Sequence, residues 1–243
     1  MQLTIQLAEV FLENPRAVLS IHQIAKKLTL PYGTAYNRIH QMAELGLIKI
    51  VPQGKAKLCA LNAANPMTSV VLGLGASQKA QSFLTEGSKA ALLTEKIREF
   101  VEYQNGDQLQ MSLLLNIELF RQSLAAADFE SEPVEQALQN NDDPENNSGE
   151  KTEQLSIDLF LVMPTEEFNL DQLESFIHPL FPSRIQPRIT FMAVKSSTLF
   201  GMLREQENEA GLSAYHMLRR GLILTGFERF YSIVLKSFAP RIF

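Results

Sequence analysis

The sequence predicts an α+β protein, and three observations carry that prediction. Residues 20–61 pass from two stretches of helical apolar spacing into a strand, a turn and a second strand. Residues 111–194 hold three apolar, β-rich runs, the second and third separated by a helix-like stretch and further helix-like stretches following, the pattern of a small sheet with helices around it. Charge divides the 243-residue chain in two: residues 1–66 carry seven Lys and Arg against three Glu, a net +4, whereas the whole chain carries −5, which leaves −9 on residues 67–243.

In the first part, Met1 to Glu13 reads as a leading helix closed by Asn14-Pro15. Ser20 is the expected N-cap of a helix with Ile21, Ile24, Ala25 and Leu28 on one face. Thr29-Leu30-Pro31 interrupts it. A second helix buries Ala35, Ile39 and Met42 and ends at Gly46, which suits a left-handed cap. Leu47 to Val51 changes to strand composition, Pro52-Gln53-Gly54 turns, and Lys55 to Leu61 returns. Helix, turn, helix and hairpin in this order make a winged helix-turn-helix over residues 1–66, and that order points to double-stranded DNA as partner. The second helix leaves Tyr32, Thr34, Tyr36, Asn37, Arg38 and Gln41 for base edges in the major groove. Lys49, Lys55 and Lys57, on or beside the wing, are expected on phosphate. A basic module on an acidic body suits an oriented polyanion binder. The alternative for the same module is a wing used for contacts with a protein partner.

The composition excludes several classes. The single cysteine, Cys59, cannot build an internal disulfide framework and is expected as a packed thiol in a wing strand. No charged start with an apolar follow-on and no 18-residue apolar run occurs, so a cytoplasmic chain with no membrane partner is expected. His22, His40, His178 and His216 have no Cys, His or Glu at metal-ligand spacing. Gly73-x-Gly75 lacks the third glycine and the preceding strand of a dinucleotide loop, so no cofactor is expected.

Residues 67–107 read as a helical linker or dimerisation region interrupted by Gly73, Gly75 and Gly87. Ala90 to Val101 is its clearest amphipathic helix, with Leu93, Ile97, Phe100 and Val101 inward. One winged helix meets one half-site, so a homodimer is expected, through these helices or through the second domain. Between residues 125 and 154 nine acids face Lys151 alone, and an acidic disordered insertion over about 129–153 is expected. Such a segment could compete with DNA for the wing lysines, or be a tolerated surface insertion.

In the second half, Met111 to Ile117 is expected as a buried strand. Further strands are expected at Leu155 to Val162 and Ile185 to Val194, with helices over Phe168 to Phe181, Thr198 to Glu209, Leu212 to Gly221 and Phe227 to Phe238. Three stretches here resemble the minimal nucleotidyltransferase domain of archaea and bacteria, a domain that can follow a winged helix. Ser156-Ile157-Asp158-Leu159-Phe160-Leu161-Val162 is similar to its catalytic strand. Pro187 to Val194, followed by Leu199-Phe200-Gly201-Met202-Leu203, is similar to its third core strand and the helix after it. Met217 to Tyr231 is similar to its ending. The resemblance covers about 108–240 and implies an α/β nucleotidyltransferase-like domain, over 108–243, with a small mixed sheet.

The resemblance also implies a two-metal site of three carboxylates, two of them in Asp-x-Asp on one strand, and a Gly-Ser turn after the first strand. This chain has Ser156-x-Asp158 at the first place, only Arg188, Thr190 and Met192 on the third strand, and Asn116 to Arg121 where Gly-Ser belongs. No catalytic residue is assigned. Asp158 is a residual metal candidate, set against a polar group at a strand edge satisfied by backbone or by Arg188. The expected function is a DNA-binding transcription regulator with an inactive nucleotidyltransferase-like body used as scaffold or for dimerisation. The alternatives are an active enzyme transferring a nucleotide to protein or RNA, and an antitoxin-like partner that neutralises a toxin.

Overall fold

The computed structural model describes residues 2–54, 56–105, 108–126, 155–165, 168–181, 187–204 and 209–238. The acidic segment at 129–153 and Lys55 lie outside the described residues.

The first part contains α1 (Gln2–Leu12), β1 (Leu19–Ser20), α2 (Ile21–Lys27), α3 (Tyr32–Glu44), β2 (Ile48–Gln53) and β3 (Ala56–Leu61). The three strands form an antiparallel sheet in the order β1-β3-β2. Ser20 caps α2 as its sequence position predicts: its hydroxyl accepts from the Gln23 backbone N–H, and the Gln23 side chain accepts from the Ser20 backbone N–H. Both helices of the pair end in the same way. After α2, Leu30 N–H donates to Ala25 O and Thr29 N–H to Lys26 O, with Thr29 at φ 54°. After α3, Leu47 N–H donates to Met42 O and Gly46 N–H to Ala43 O, with Gly46 at φ 70°. Each is a Schellman ending, which needs one left-handed residue. Glycine supplies it at 46, whereas a β-branched threonine is held there at 29. The predicted inner face of α3, Ala35, Ile39 and Met42, is buried.

One expectation is corrected in the next stretch. The helix α4 runs unbroken over Pro66–Leu84, through Gly73 and Gly75, and only Gly87 lies in a break, before α5 (Lys89–Asn105). The physical reason is tertiary. A glycine inside a helix costs about 1 kcal/mol against alanine, but Gly73 is where α4 meets the backbone at the start of the last helix. Pro66 at the first turn and the Asn65 side chain, which accepts from Met67 N–H, start α4 firmly.

A second sheet follows, from β4 (Met111–Leu114), α6 (Ile117–Ala126), β5 (Ser156–Val162), α7 (Leu170–Ile177), β6 (Arg188–Val194), α8 (Ser196–Arg204), α9 (Glu209–Arg219), β7 (Leu222–Thr225) and α10 (Phe227–Phe238). Its strand order is β6-β5-β4-β7. The strand β4 runs antiparallel to β5 and to β7, and β5 runs parallel to β6, so the sheet is mixed as expected. Two elements add to the sequence reading. The helix α6 begins within the expected strand 111–117, and residues 222–225, expected only as the lead into the last helix, form the edge strand β7. Four apolar residues become a strand there because β4 offers them a ladder.

Each face of this sheet has its own core. On one face Leu114, Ile157, Leu159 and Leu161 pack with Ile97 and Val101 of α5 and Leu173 and Ile177 of α7. On the other, Met111, Leu113, Phe160 and Val162 join a cluster that runs through Leu72 of α4 to Leu7 and Phe11 of α1 and Ile24 and Ile39. The helix α4 therefore packs within the chain, against α1 and α10. At the end of α1, Arg219 Nη1 of α9 donates to Glu13 O at 3.1 Å, and the Tyr215 hydroxyl lies 3.4 Å from the same oxygen. No helix among the described residues is long and apolar enough to cross a membrane.

Candidate functional site

The exposed side of α3 is positioned by its buried side. Ala35, Ile39 and Met42 fix the helix against the first core, so Tyr32, Thr34, Asn37 and Gln41 are presented outward. Tyr32 is 53% exposed, a large ring left in solvent. Arg38 is partly buried and donates from Nη1 to Gln41 Oε1 at 3.0 Å, so these two predicted residues act as a pair. Tyr36, also partly buried, differs from the rest in packing on the first core.

The hairpin lysines are divided by strand alternation. Lys57 is registered opposite Pro52 and lies two residues before the buried Cys59, on the hairpin face that meets α3. Its Nζ donates to Tyr36 Oη at 2.7 Å, lies 3.2 Å from His40 Nε2, and sits 4.7 Å from the centre of the Tyr36 ring. The Tyr36 and His40 rings are 4.3 Å apart, and Tyr32 continues the row at 6.1 Å. Lys49 is exposed and lies on the other hairpin face. Lys55 lies outside the described residues. His40 has a place in this cluster that metal spacing had no way to reveal. The signal for it was the four-residue step Tyr32, Tyr36, His40, one face of a helix.

Cys59 is fully buried, and burial pushes its thiol up to about 11, opposed by the nearby Lys57 charge. It is the packed thiol that the sequence predicts.

Asp158 occupies a different setting from the one expected. Its strand, β5, lies inside the sheet between β6 and β4, so Asp158 is not at an edge. Alternation places Ser156 and Asp158 on one face, and register sets Arg188 opposite Ser156 and Thr190 opposite Asp158. Three side chains donate to the carboxylate: Ser156 Oγ at 2.9 Å and Thr190 Oγ1 at 2.5 Å to Oδ1, and Asn116 Nδ2 at 3.1 Å to Oδ2. Asn116 reaches it from the turn between β4 and α6, where it holds φ 51°, a left-handed conformation that asparagine tolerates better than most residues. Burial pushes the carboxyl up, but the Thr190, Asn116 and Ser156 hydrogen bonds and the Arg188 charge outweigh it and hold it below the usual carboxylate range. The correction is thus to the partners: neutral side-chain donors satisfy Asp158, and Arg188 adds only charge. Among the described residues, no three His, Cys, Asp or Glu side chains converge as a metal-binding group.

Two surfaces are therefore built from the predicted residues: the α3 face with its lysine cluster, and the polar end of β5 and β6. No family model, curated protein or solved structure matches this chain.

Proposed function

We propose that the chain is a DNA-binding transcription regulator, with a winged helix-turn-helix in its first part and a nucleotidyltransferase-like body without catalytic function in its second. The observation that carries the reading is the solvent face of α3. Tyr32, Thr34, Asn37 and Gln41 are exposed there, with the partly buried Arg38 and Tyr36 at its margins, and together they offer donors and acceptors beside an antiparallel hairpin bearing Lys49 and Lys57. A sheet order of β1-β3-β2 around three helices, and a net +4 on residues 1–66, support it.

For the body, support comes from β4 antiparallel to the parallel pair β5 and β6. Where the resemblance implies three metal-binding acids, this chain brings together Ser156, Asp158 and Thr190. A hydroxyl is a poor substitute for an anionic oxygen on a divalent cation. The three donors around Asp158 make it part of a hydrogen-bonded support. In this reading the body orients the first module and pairs two copies, so that two half-sites are met together.

The test is salt-dependent binding of the full chain to labelled genomic duplexes. Affinity is expected to fall steeply with salt, Asn37→Ala to change base preference, and Lys49→Gln to weaken all duplexes alike. Absence of salt-sensitive binding overturns the reading. A parallel assay with Mg²⁺ and labelled ATP or CTP addresses the body. Transfer that disappears in Asp158→Asn overturns the inactive assignment, and a monomer by light scattering overturns the pairing.

A further inference from the structure

Three groups that can each donate to an anion meet at the seam between α3 and the hairpin: Lys57 Nζ, with Tyr36 Oη 2.7 Å and His40 Nε2 3.2 Å from it. An ammonium has donors and no acceptor. It donates to the Tyr36 hydroxyl oxygen and can donate to His40 Nε2 when that nitrogen carries no proton. The Lys57 ammonium lies against the Tyr36 hydroxyl, the His40 ring nitrogen and the face of the Tyr36 ring. Among the described residues, no carboxylate takes part in this cluster.

We propose that Tyr36, His40 and Lys57 form a phosphate-binding site whose occupation takes up a proton. The inference rests on the DNA reading for the source of the phosphate, and the chemistry recognised is a phosphate oxygen. When that oxygen arrives, Lys57 Nζ turns from His40 to it, and the Tyr36 hydroxyl donates its own hydrogen. His40 Nε2, which has lost the Lys57 donor, gains a proton from solvent and becomes a third donor. Without the anion, an imidazolium here faces an ammonium 3.2 Å away. With the anion between them the two cations share a negative partner.

Charged groups flank His40 on its own helix and on the elements packed against it, including α1, which bears the exposed Glu9 and is followed by the exposed Glu13. On α3, Tyr36 lies one turn before it and the exposed Glu44 one turn after it. From β3 comes Lys57, and β2 carries Lys49 on the opposite face of the hairpin. The packed helix α2 carries His22, Lys26 and Lys27, all exposed.

The test uses the full chain with isotope-labelled histidine, the His40 ring signals being assigned with His40→Gln. Inorganic phosphate and a short labelled duplex are titrated separately, and duplex binding is repeated from pH 8 to 6 in two buffers of different ionisation enthalpy. Both ligands are expected to move the His40 signals toward imidazolium. Duplex affinity is expected to rise as pH falls, by at most about tenfold per pH unit, since one proton is taken up. His40→Gln and Lys57→Met should flatten that dependence while far-ultraviolet circular dichroism stays unchanged. If either variant unfolds, the wild-type signals and the buffer-dependent heat decide alone. Duplex binding with unmoved His40 signals and no proton uptake overturns the site and leaves the DNA reading standing. Movement of His40 by inorganic phosphate without any duplex binding supports the site and overturns the DNA reading. Signals unmoved by either ligand overturn the site.

Discussion

Gly73 of α4 lies against the backbone of Glu228 at the start of α10: a Cβ on Gly73 would stand 2.8 Å from the Glu228 nitrogen and 2.9 Å from its Cα. Backbone cannot swing aside as a side-chain tip does. The glycine therefore sets how closely these two helices approach, and α4 joins the first module to the last helix through this contact.

Gly73→Ala is expected to destabilise the protein by about 1–3 kcal/mol, the cost of overpacking, despite the helix propensity gained. Gly201→Ala is the matched comparison: Gly201 is also inside a helix, α8, but nothing lies within 4 Å of its Cβ position. It should stabilise by about 0.5–1 kcal/mol. Denaturant midpoints of the two variants check both signs, and equal shifts would refute the close approach.

Thr29 offers the opposite manipulation. Its φ of 54° strains a β-branched residue by roughly 1–2 kcal/mol, and glycine adopts that conformation freely. Part of the gain is lost because glycine also loosens the unfolded chain. Thr29→Gly should therefore raise the melting temperature, by a stabilisation of about 0.5–1 kcal/mol. Calorimetry of wild type and variant decides it, and a lower melting temperature would show that Thr29 makes contacts worth more than its strain.

Asp158 gives stability a dependence on acid. Its folded carboxyl titrates below the ordinary carboxylate range, so it stabilises the fold above the unfolded value, about 3.9, and this contribution disappears as pH falls through the folded value. Asp158→Asn should lower the urea midpoint clearly at pH 7, and the gap from wild type should narrow below about pH 4. A gap that stays constant with pH would mean that shape, and not charge, is what the site needs.

Cys59 acts at the alkaline end. Its thiol, raised to about 11, keeps its proton where the unfolded thiol has begun to lose it. The group thus stabilises the fold below the unfolded value, about 8.5, and that contribution is lost as pH rises from there toward 11. An aromatic disulfide reagent at pH 8 should label native protein far more slowly than protein unfolded in urea. Fast native labelling would contradict the burial of this side chain.

What was legible in the sequence is what neighbouring residues decide together. Ser20 with Gln23, the spacing of Ala35, Ile39 and Met42, Gly46, and Gly54 at the hairpin turn all act within a few residues, although β2 runs on through Pro52 and Gln53, where a turn is expected. They specified α2, α3 and the hairpin nearly to their ends, because caps, periodicity and turn chemistry are local. The same holds for β5, whose apolar run needed no knowledge of its neighbours. The tertiary structure alone decided the rest. Gly73 reads as a helix breaker until Glu228 lies beside it, 155 positions later. Residues 222–225 are a strand because β4 pairs with them. Asp158 is surrounded by Asn116 and Thr190, 42 and 32 residues away, and Lys57 reaches Tyr36 and His40 across 21 and 17. Backbone conformation is biased by adjacent side chains, but the partner of a polar group is whichever donor the folded chain brings within 3 Å. For Asp158 those donors come from the neighbouring strand and the turn after β4, and for Lys57 the partners come from α3.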